Sequence, residues 1–161
     1  MPVIRRAERG DIQSVAALWL QMMREHQSRD SRFELGNDAE TAYSQQLGEM
    51  MEVPDNAVFV ADDNGHLTGY IFAMILPNPP VFSRDRYGFV AEMVVDCDCR
   101  RSGTGKELWE RAIRWFRRKG VKNVQLNVSP LNEAGLAFWE SLGFHDFLRI
   151  LWRDLDEGSP S

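Results

Sequence analysis

Hydrophobic positions in the first fifty residues mostly follow a helical period. After a short predicted strand at Val3–Arg6, apolar residues three or four apart predict a helix that Asp11 caps. Asp38 is predicted to cap a second helix. The apolar positions of the first helix are Ile12, Val15, Ala16, Trp19, Met22 and Met23, and those of the second are Tyr43, Leu47 and Met50 or Met51. Each stripe is typical of a helix that packs one face on a core.

The period then changes to two. Residues 57–61 and 67–76 are rich in strand-forming side chains and flank Asp62-Asp63-Asn64-Gly65. An Asn-Gly pair between such segments predicts a β-hairpin. Residues 87–96 are apolar on both alternating faces except at Glu92, which is typical of a central strand covered on both sides.

The remaining third of the chain returns to alternating helices and strands. A helix is predicted over 103–119, ended by Gly120, followed by a strand at 124–128. A short helix over 132–142 ends at Gly143, and closing strands are predicted at 144–147 and 149–154. This order predicts a mixed α/β fold in a single domain, residues 1–155, with a flexible tail at 156–161.

The composition limits the classes of protein to which this chain can belong. The chain has 161 residues, 43% hydrophobic and 27% charged, with a net charge of -5, which predicts a soluble domain and argues against nucleic acid as a partner. No apolar run reaches the roughly 20 residues of a membrane span, and the start lacks the apolar core of a secretory signal. Cys97 and Cys99 stand too close together for a useful disulfide. We therefore expect a reduced, cytoplasmic protein without a membrane partner.

A basic, glycine-containing heptad lies between the predicted central strand and the helix after it. Backbone N–H groups at such a helix start bind phosphate, and glycine lets a ligand approach closely. A P-loop would need glycine at Arg100 and Ser or Thr at Glu107, and a dinucleotide fingerprint would need glycine at Leu108, so both are excluded. A plain tight turn with a basic rim stays open as the alternative. The heptad is Arg100, Arg101, Ser102, Gly103, Thr104, Gly105 and Lys106.

This heptad resembles the pyrophosphate-binding motif of the GNAT superfamily of N-acetyltransferases. Met93-Val94-Val95, with Val95 five residues before Arg100, is similar to the family strand that pairs with the pantetheine arm. Asn127 on the next strand and Asn132 also fit. The later Ala137-Phe138-Trp139-Glu140-Ser141-Leu142-Gly143-Phe144 resembles the family's closing pattern, and Ile4-Arg5 its opening. The resemblance implies a largely antiparallel central sheet with helices on both faces and splayed fourth and fifth strands.

The resemblance also implies acetyl-CoA as co-substrate, without a metal, and direct transfer to an amine. The residues it assigns to acetyl-CoA are Met93, Val94, Val95, the heptad from Arg100 to Lys106, Asn127, Asn132, Phe138 and Trp139. Glu92, the one charge inside the apolar strand, is the candidate catalytic base, and the alternative is a structural Glu paired with an arginine. Trp139 stands where the family usually has its tyrosine acid, so a non-catalytic acetyl-CoA-binding module is an alternative function. Relatives are often homodimers.

Three further charge and thiol patterns have competing interpretations. A stretch without Lys or Arg contains six acidic residues, which are Glu34, Asp38, Glu40, Glu49, Glu52 and Asp55. This cluster of negative charge favours a small cationic amine, or a peptide, as the acceptor. The alternative is that these carboxylates merely solvate a helix face.

A basic run follows Glu107 and Glu110 by one helical turn, which predicts a solvated, ion-paired helix surface. The run consists of Arg111, Arg114, Arg117, Arg118 and Lys119. A metal or redox site at Cys97-Asp98-Cys99 is disfavoured for want of further ligands.

Overall fold

A five-stranded sheet organises the first part of the chain. The computed structural model describes residues 2–156, and residues 157–161 of the predicted tail lie outside them. The strands are β1 (Val3–Arg6), β2 (Asn56–Asp63), β3 (His66–Pro77), β4 (Arg86–Val95) and β5 (Val124–Leu126), and they lie in that order across the sheet. β1 to β4 pair antiparallel, whereas β4 and β5 are parallel. The predicted mixed, largely antiparallel sheet is confirmed.

Helices cover both faces of this sheet. Val58 and Val60 pack into a core with α1 (Ile12–Arg29) and α2 (Ala39–Met50). Phe59 lies between them in sequence and therefore points to the other face, where Arg111 of α3 (Thr104–Arg118) lies over its ring. α3 buries one stripe against that face, formed by Leu108, Trp109, Ala112, Trp115 and Phe116. Among residues 2–156, no helix is both long and apolar enough to span a membrane.

The β2–β3 hairpin follows its sequence signal. Asn64 has φ 53° and Gly65 φ 90°, so both residues of the two-residue loop are left-handed, as in a type I′ turn. The Asp62 carboxylate accepts a hydrogen bond from the Gly65 N–H at 2.7 Å, which fixes the loop further.

Asp11 and Asp38 precede α1 and α2 as expected, but neither side chain caps its helix, so this part of the prediction is wrong. The Asp11 carboxylate instead binds the Arg5 guanidinium at 2.8 Å and the Glu8 N–H at 2.7 Å. A carboxylate forms stronger hydrogen bonds with a charged guanidinium than with a neutral N–H. The Asp11 carboxylate therefore binds Arg5 rather than the first backbone N–H groups of α1. The same contact lowers the pKa of Asp11.

The chain divides into two units between Asn127 and Val128, and the second unit contains α4 (Glu133–Ser141). The Asn132 side chain caps α4 by accepting from the Gly135 N–H at 3.1 Å, and Gly143 ends the helix with φ 95°. Trp139 packs edge to face on Phe138 and Phe144, with ring centroids 5.0 and 5.2 Å away.

The closing strands predicted at 144–147 and 149–154 are wrong, because these residues have no regular secondary structure. A strand requires a hydrogen-bonded neighbour, and strand propensity mostly reflects packing on such a neighbour. Within the described residues no strand pairs with this segment. Its large apolar side chains are mostly exposed, including Leu148, Ile150 and Leu151.

Candidate active site

β4 and β5 are paired over only a short distance. The paired residues are 88–90 of β4 and 124–126 of β5. The Gly88 N–H also donates to the Asn123 carbonyl at 2.8 Å. β4 then continues to Val95 with β3 as its sole neighbour in the part of the chain that the structure describes. The outer edge of β4 is therefore open beyond Val90, as expected for splayed strands.

A β-bulge lies where this open edge begins. Ala73 pairs with Val90 and Phe72 with Glu92, so Ala91 is an extra residue on β4. A side chain at Gly88 would meet Phe116 of α3, whereas Glu92 contacts Tyr43 of α2. Residues four apart on a regular strand share a face, so the bulge turns Glu92 to the opposite side of the sheet.

The backbone of Met93 and Val95 faces the open edge. The Asp96 N–H donates to the Thr68 carbonyl at 2.8 Å, which places it on the β3 side. Because N–H groups alternate sides along a strand, those of Met93 and Val95 point away from β3. The Val94 side chain is buried in the core under α1 and α2.

The heptad forms a loop suited to an anion. Arg101 and Gly103 are left-handed, with φ 64° and 87°, a conformation found where backbone N–H groups surround anions. A Cβ at Gly103 would meet nothing within 4 Å. α3 begins at Thr104 without a side-chain cap, so its first N–H groups are available to a ligand. The Ser102 hydroxyl donates to the Cys99 carbonyl, which braces the turn, while Lys106 is exposed.

Arg100 ties this loop to two other elements. Its Nε donates to the Val95 carbonyl at 3.3 Å, and its Nη2 binds both carboxylate oxygens of Glu25 on α1 at 2.8 and 3.0 Å. The guanidinium therefore positions the loop at the end of β4. This leaves the backbone N–H groups, rather than Arg100, as the best-placed anion donors.

Glu92 lies within a cluster of aromatic side chains from three elements. Its Oε1 accepts from the Tyr43 hydroxyl at 2.6 Å and from the Tyr70 hydroxyl at 3.3 Å. The two hydroxyl oxygens are 3.2 Å apart. Trp19 stacks on the Tyr43 ring, with centroids 4.4 Å apart and planes at 7°. The expected alternative, a Glu paired with an arginine, is not what surrounds this carboxylate.

Burial sets the protonation of this cluster. Desolvation raises the pKa of Glu92, and hydrogen bonds from Tyr43, Tyr70 and Trp19 oppose that rise without cancelling it. Burial, together with the charge of Glu92, also raises the pKa of both tyrosines. The tyrosines therefore stay neutral hydrogen-bond donors, and Glu92 holds a proton more tightly than an exposed glutamate does.

Sequence reasoning missed Tyr43, Tyr70 and Trp19 as neighbours of Glu92. A signal was present, because a carboxylate inside an apolar strand needs donors, and tyrosine is a residue that reaches a core with a hydroxyl group. The bulge at Ala91 decides which tyrosines are close, and it has no mark in the sequence.

The remaining residues expected at the site lie after β4 and the loop, from the end of β5 onward. Asn127 follows the last residue of β5 rather than standing on the strand, because β5 ends at Leu126. Asn132, Phe138 and Trp139 belong to the second unit, where Asn132 is occupied in capping α4. Their expected role toward acetyl-CoA stays a prediction.

The cysteine segment forms a 3₁₀ turn at Cys97–Cys99, which the Asp96 carboxylate caps through the Asp98 N–H. Donor atoms of Asp96, Cys97 and Asp98 lie within 4.8 Å of one another. Burial and the neighbouring carboxylates raise the pKa of both thiols, which opposes a reactive thiolate.

The sequence matches the family described as "Acetyltransferase (GNAT) family" over residues 19–144. The chain belongs to the GNAT acetyltransferase family. This match covers β4, Glu92 and the loop from Arg100 to Lys106, so the open strand edge and the loop belong to a GNAT domain.

Several GNAT relatives are similar over part of the chain. A mycothiol acetyltransferase of Amycolatopsis mediterranei is 29% identical over 56% of this chain and 30% of its own length. The ribosomal protein bS18-alanine N-acetyltransferase of Escherichia coli is 39% identical over 34% of this chain and 36% of its own. The chain thus spans about a third of the length of these curated relatives.

Solved structures share the fold at low identity. The BH1408 protein of Bacillus halodurans, crystallised as a tetramutant, matches with a TM-score of 0.86 at 22% identity, over 95% of this chain and 99% of that one. The aminoglycoside N-acetyltransferase AAC(6')-Iy in complex with CoA matches with a TM-score of 0.75 at 18% identity, over 97% and 95%.

The raised pKa of Glu92 predicts a pH-dependent stability difference. Folding raises this pKa above its ordinary 4.5, so the folded state binds the proton more tightly, and its contribution to stability is lost as pH rises through the raised pKa. Relative to Glu92→Gln, which cannot ionise, the wild type should lose unfolding free energy across that window. Urea unfolding between about pH 4 and about pH 8 measures this difference in unfolding free energy. The expected change is about 1.4 kcal/mol for each pH unit between the pKa of Glu92 in the unfolded and in the folded state.

Glu34→Gln is the control for the removal of one carboxylate, because Glu34 is exposed and lies outside the helices and strands. Parallel stability curves for wild type and Glu92→Gln would show that Glu92 has the same pKa in both states.

Proposed function

We propose that the chain is an acetyl-CoA-dependent N-acetyltransferase that transfers the acetyl group directly to a primary amine of a small, cationic acceptor. The observation that carries this proposal is the open edge of β4, which has Glu92 on one side. The loop from Arg100 to Lys106, here termed the phosphate loop, lies at its end. Membership of the GNAT family and the named acetyltransferase relatives support it.

The chain's own residues fit acetyl-CoA at this edge. The loop from Arg100 to Lys106 and the first turn of α3 would hold the pyrophosphate, because the space over Gly103 is open and the helix start has no side-chain cap. The outward backbone groups of Met93 and Val95 would pair with the amides of the pantetheine arm. The thioester supplies the activated acetyl group.

Glu92 would take the proton of the attacking amine. An amine with a pKa near 10.4 costs about 4 to 5 kcal/mol to deprotonate at pH 7, so a base with a raised pKa is a useful partner. Both tyrosines donate to Oε1, which holds the carboxylate in one orientation and leaves Oε2 without a tyrosine donor. A new N–C bond forms as the C–S bond breaks, and the sulfur leaves with the electron pair.

No tyrosine acid is required in this scheme. A CoA thiol with a pKa near 8.5 is a fair leaving group as the thiolate. Tyr43 and Tyr70 have raised pKa values, so they keep their protons and act as positioning residues for Glu92. Trp139 at the family's tyrosine position is compatible with such a mechanism.

The surroundings of Glu92 favour a cationic acceptor. The stacked rings of Trp19 and Tyr43 beside a carboxylate match an ammonium group, which aromatic rings and carboxylates both attract. Glu40 precedes Tyr43 by three residues on α2 and so lies on the same side of the helix, where it adds to the attraction. Glu52 contributes less, because it forms an ion pair with Arg9.

Polyamines, amino sugars and lysine-like amines fit this description, and peptides with a free amine remain candidate acceptors. No metal takes part in the proposed reaction. The cytoplasmic location and the homodimer expected from the sequence stay predictions.

Replacing Gly103 by Asp tests the phosphate loop. The variant places a side chain and a like charge where the pyrophosphate would lie, so calorimetry should show at least about a tenfold loss of acetyl-CoA affinity. Gly65→Asp is a matched control, because Gly65 has φ 90° and equally open space but lies in the β2–β3 turn. Unchanged acetyl-CoA affinity in Gly103→Asp would refute the loop assignment.

Replacing Glu92 by Gln tests catalysis, with release of free CoA thiol followed over a panel of cationic, neutral and acidic amines. Turnover with the best, cationic, acceptor should fall by about a hundredfold near neutral pH and recover partly at alkaline pH, where more amine is neutral.

Replacing Tyr43 by Phe removes a hydrogen-bond donor that lowers the pKa of Glu92. The acidic limb of the pH profile of turnover should therefore move to higher pH.

If no amine releases CoA although acetyl-CoA binds, the chain is a non-catalytic binding module. If Glu92→Gln keeps full turnover per folded molecule, Glu92 is a structural residue.

A further inference from the structure

Four arginines on α3 surround one open surface cavity. Arg111, Arg114, Arg117 and Arg118 line a space of about 360 Å³, here termed the arginine cavity. Arg111, Arg114 and Arg118 are spaced three and four residues apart and so form one stripe on the helix. Arg114 lies about 15 Å along the helix axis from Thr104, so this cavity is separate from the phosphate loop.

The arginines lack the carboxylate partners expected from the sequence. Among residues 2–156, no ion pair within 4.0 Å links the four to any acidic side chain. The predicted pairs of Glu107 with Arg111 and of Glu110 with Arg114 are therefore wrong. Other side chains in this unit do form such pairs, as Arg5 does with Asp11 and Asp62.

Further positive charge converges on the same place. The Arg111 guanidinium lies over the Phe59 ring at 4.4 Å, and the Arg6 guanidinium lies 5.9 Å from the centroid of that ring. Burial lowers the pKa of Arg111, and the charges of Arg118, Arg114 and Arg6 lower it further. The cluster thus holds like charges together without neutralisation, which costs free energy that a bound anion would recover.

The helix dipole explains only part of this arrangement. Cations are favoured in the last turn of a helix, which accounts for Arg117 and Arg118. Arg111 and Arg114 lie earlier, where the dipole has little effect. Arginine forks match phosphate oxygens two at a time, and arginines that share one helix face can serve several phosphate groups together.

We propose that the arginine cavity binds a small anion that carries two or more phosphate groups. The volume of this cavity suits a small molecule. The net charge of -5 on the whole chain opposes a long nucleic acid, which would extend beyond the arginines over acidic surface. The site is independent of the acetyl-CoA site and of the acetyl-transfer proposal.

Calorimetry with inorganic tripolyphosphate at low salt tests this site on the full chain. The wild type should bind it, and the double variant Arg114→Gln with Arg118→Gln should lose at least about tenfold in affinity. Both side chains are exposed, so folding is not at risk. A control pair with the same loss of charge, Arg24→Gln with Arg149→Gln, should bind like the wild type, since both arginines are exposed and lie outside α3. Binding of tripolyphosphate at the arginine cavity should persist in Gly103→Asp, in which the loop from Arg100 to Lys106 is blocked.

Absence of binding to the wild type would overturn the proposal, as would an equal loss in the control pair, which would reveal a general charge effect. If Gly103→Asp loses affinity for tripolyphosphate and the arginine double variant does not, the anion binds at the phosphate loop instead. A single-stranded RNA oligomer that binds tighter than tripolyphosphate through Arg114 and Arg118 would overturn the small-anion assignment in favour of a nucleic-acid surface.

Discussion

One extra residue in β4, at Ala91, is the constraint on which the candidate site depends. Before Ala91, Gly88 faces α3 and β4 is paired with β5. After Ala91, Glu92 faces α2 and β4 is no longer paired with β5. A strand without the bulge would place Glu92 on the α3 side. Its carboxylate would then be separated from both tyrosines by the sheet itself.

The same bulge couples the core to the site. The Glu92 cluster is a polar group set into the core of α1 and α2, where an unpartnered carboxylate would be costly. Tyr43 and Tyr70 supply the donors, and Tyr70 is fully buried, so the carboxylate is held by residues that also stabilise the fold. Within the described residues no buried side-chain nitrogen or oxygen lacks a hydrogen-bond partner. A mutation that loosens α2 would therefore disturb the proposed base as well as the core.

Local signals made much of the fold predictable. The Asn64-Gly65 turn, the apolar stripe of α3 and the left-handed Gly120 depend on residues close in sequence, and each appears where it was expected. The left-handed turn before α3 was also predictable from a local signal, because Gly103 precedes the helix.

Features that depend on distant residues were not predictable. The tyrosines around Glu92 come from α2 and β3, and their proximity follows from the register of β3 on β4. The Asp11 cap failed because Arg5, six residues away, competes for the carboxylate, and Arg111 lies over the ring of Phe59, which is far away in sequence. Residues 144–154 have strand-forming side chains, but propensity alone does not supply a pairing partner.

We propose that the outer edge of β4 beyond the bulge is the docking edge for the pantetheine arm of acetyl-CoA. Amide hydrogen exchange resolved at single residues tests it most directly. The amides of Met93 and Val95 should exchange rapidly in the free protein and become protected when CoA is added, while the Gly88 amide, bonded to Asn123, stays protected throughout. Met93 and Val95 amides that exchange at the same rate with and without CoA would show that the pantetheine arm does not dock on this edge.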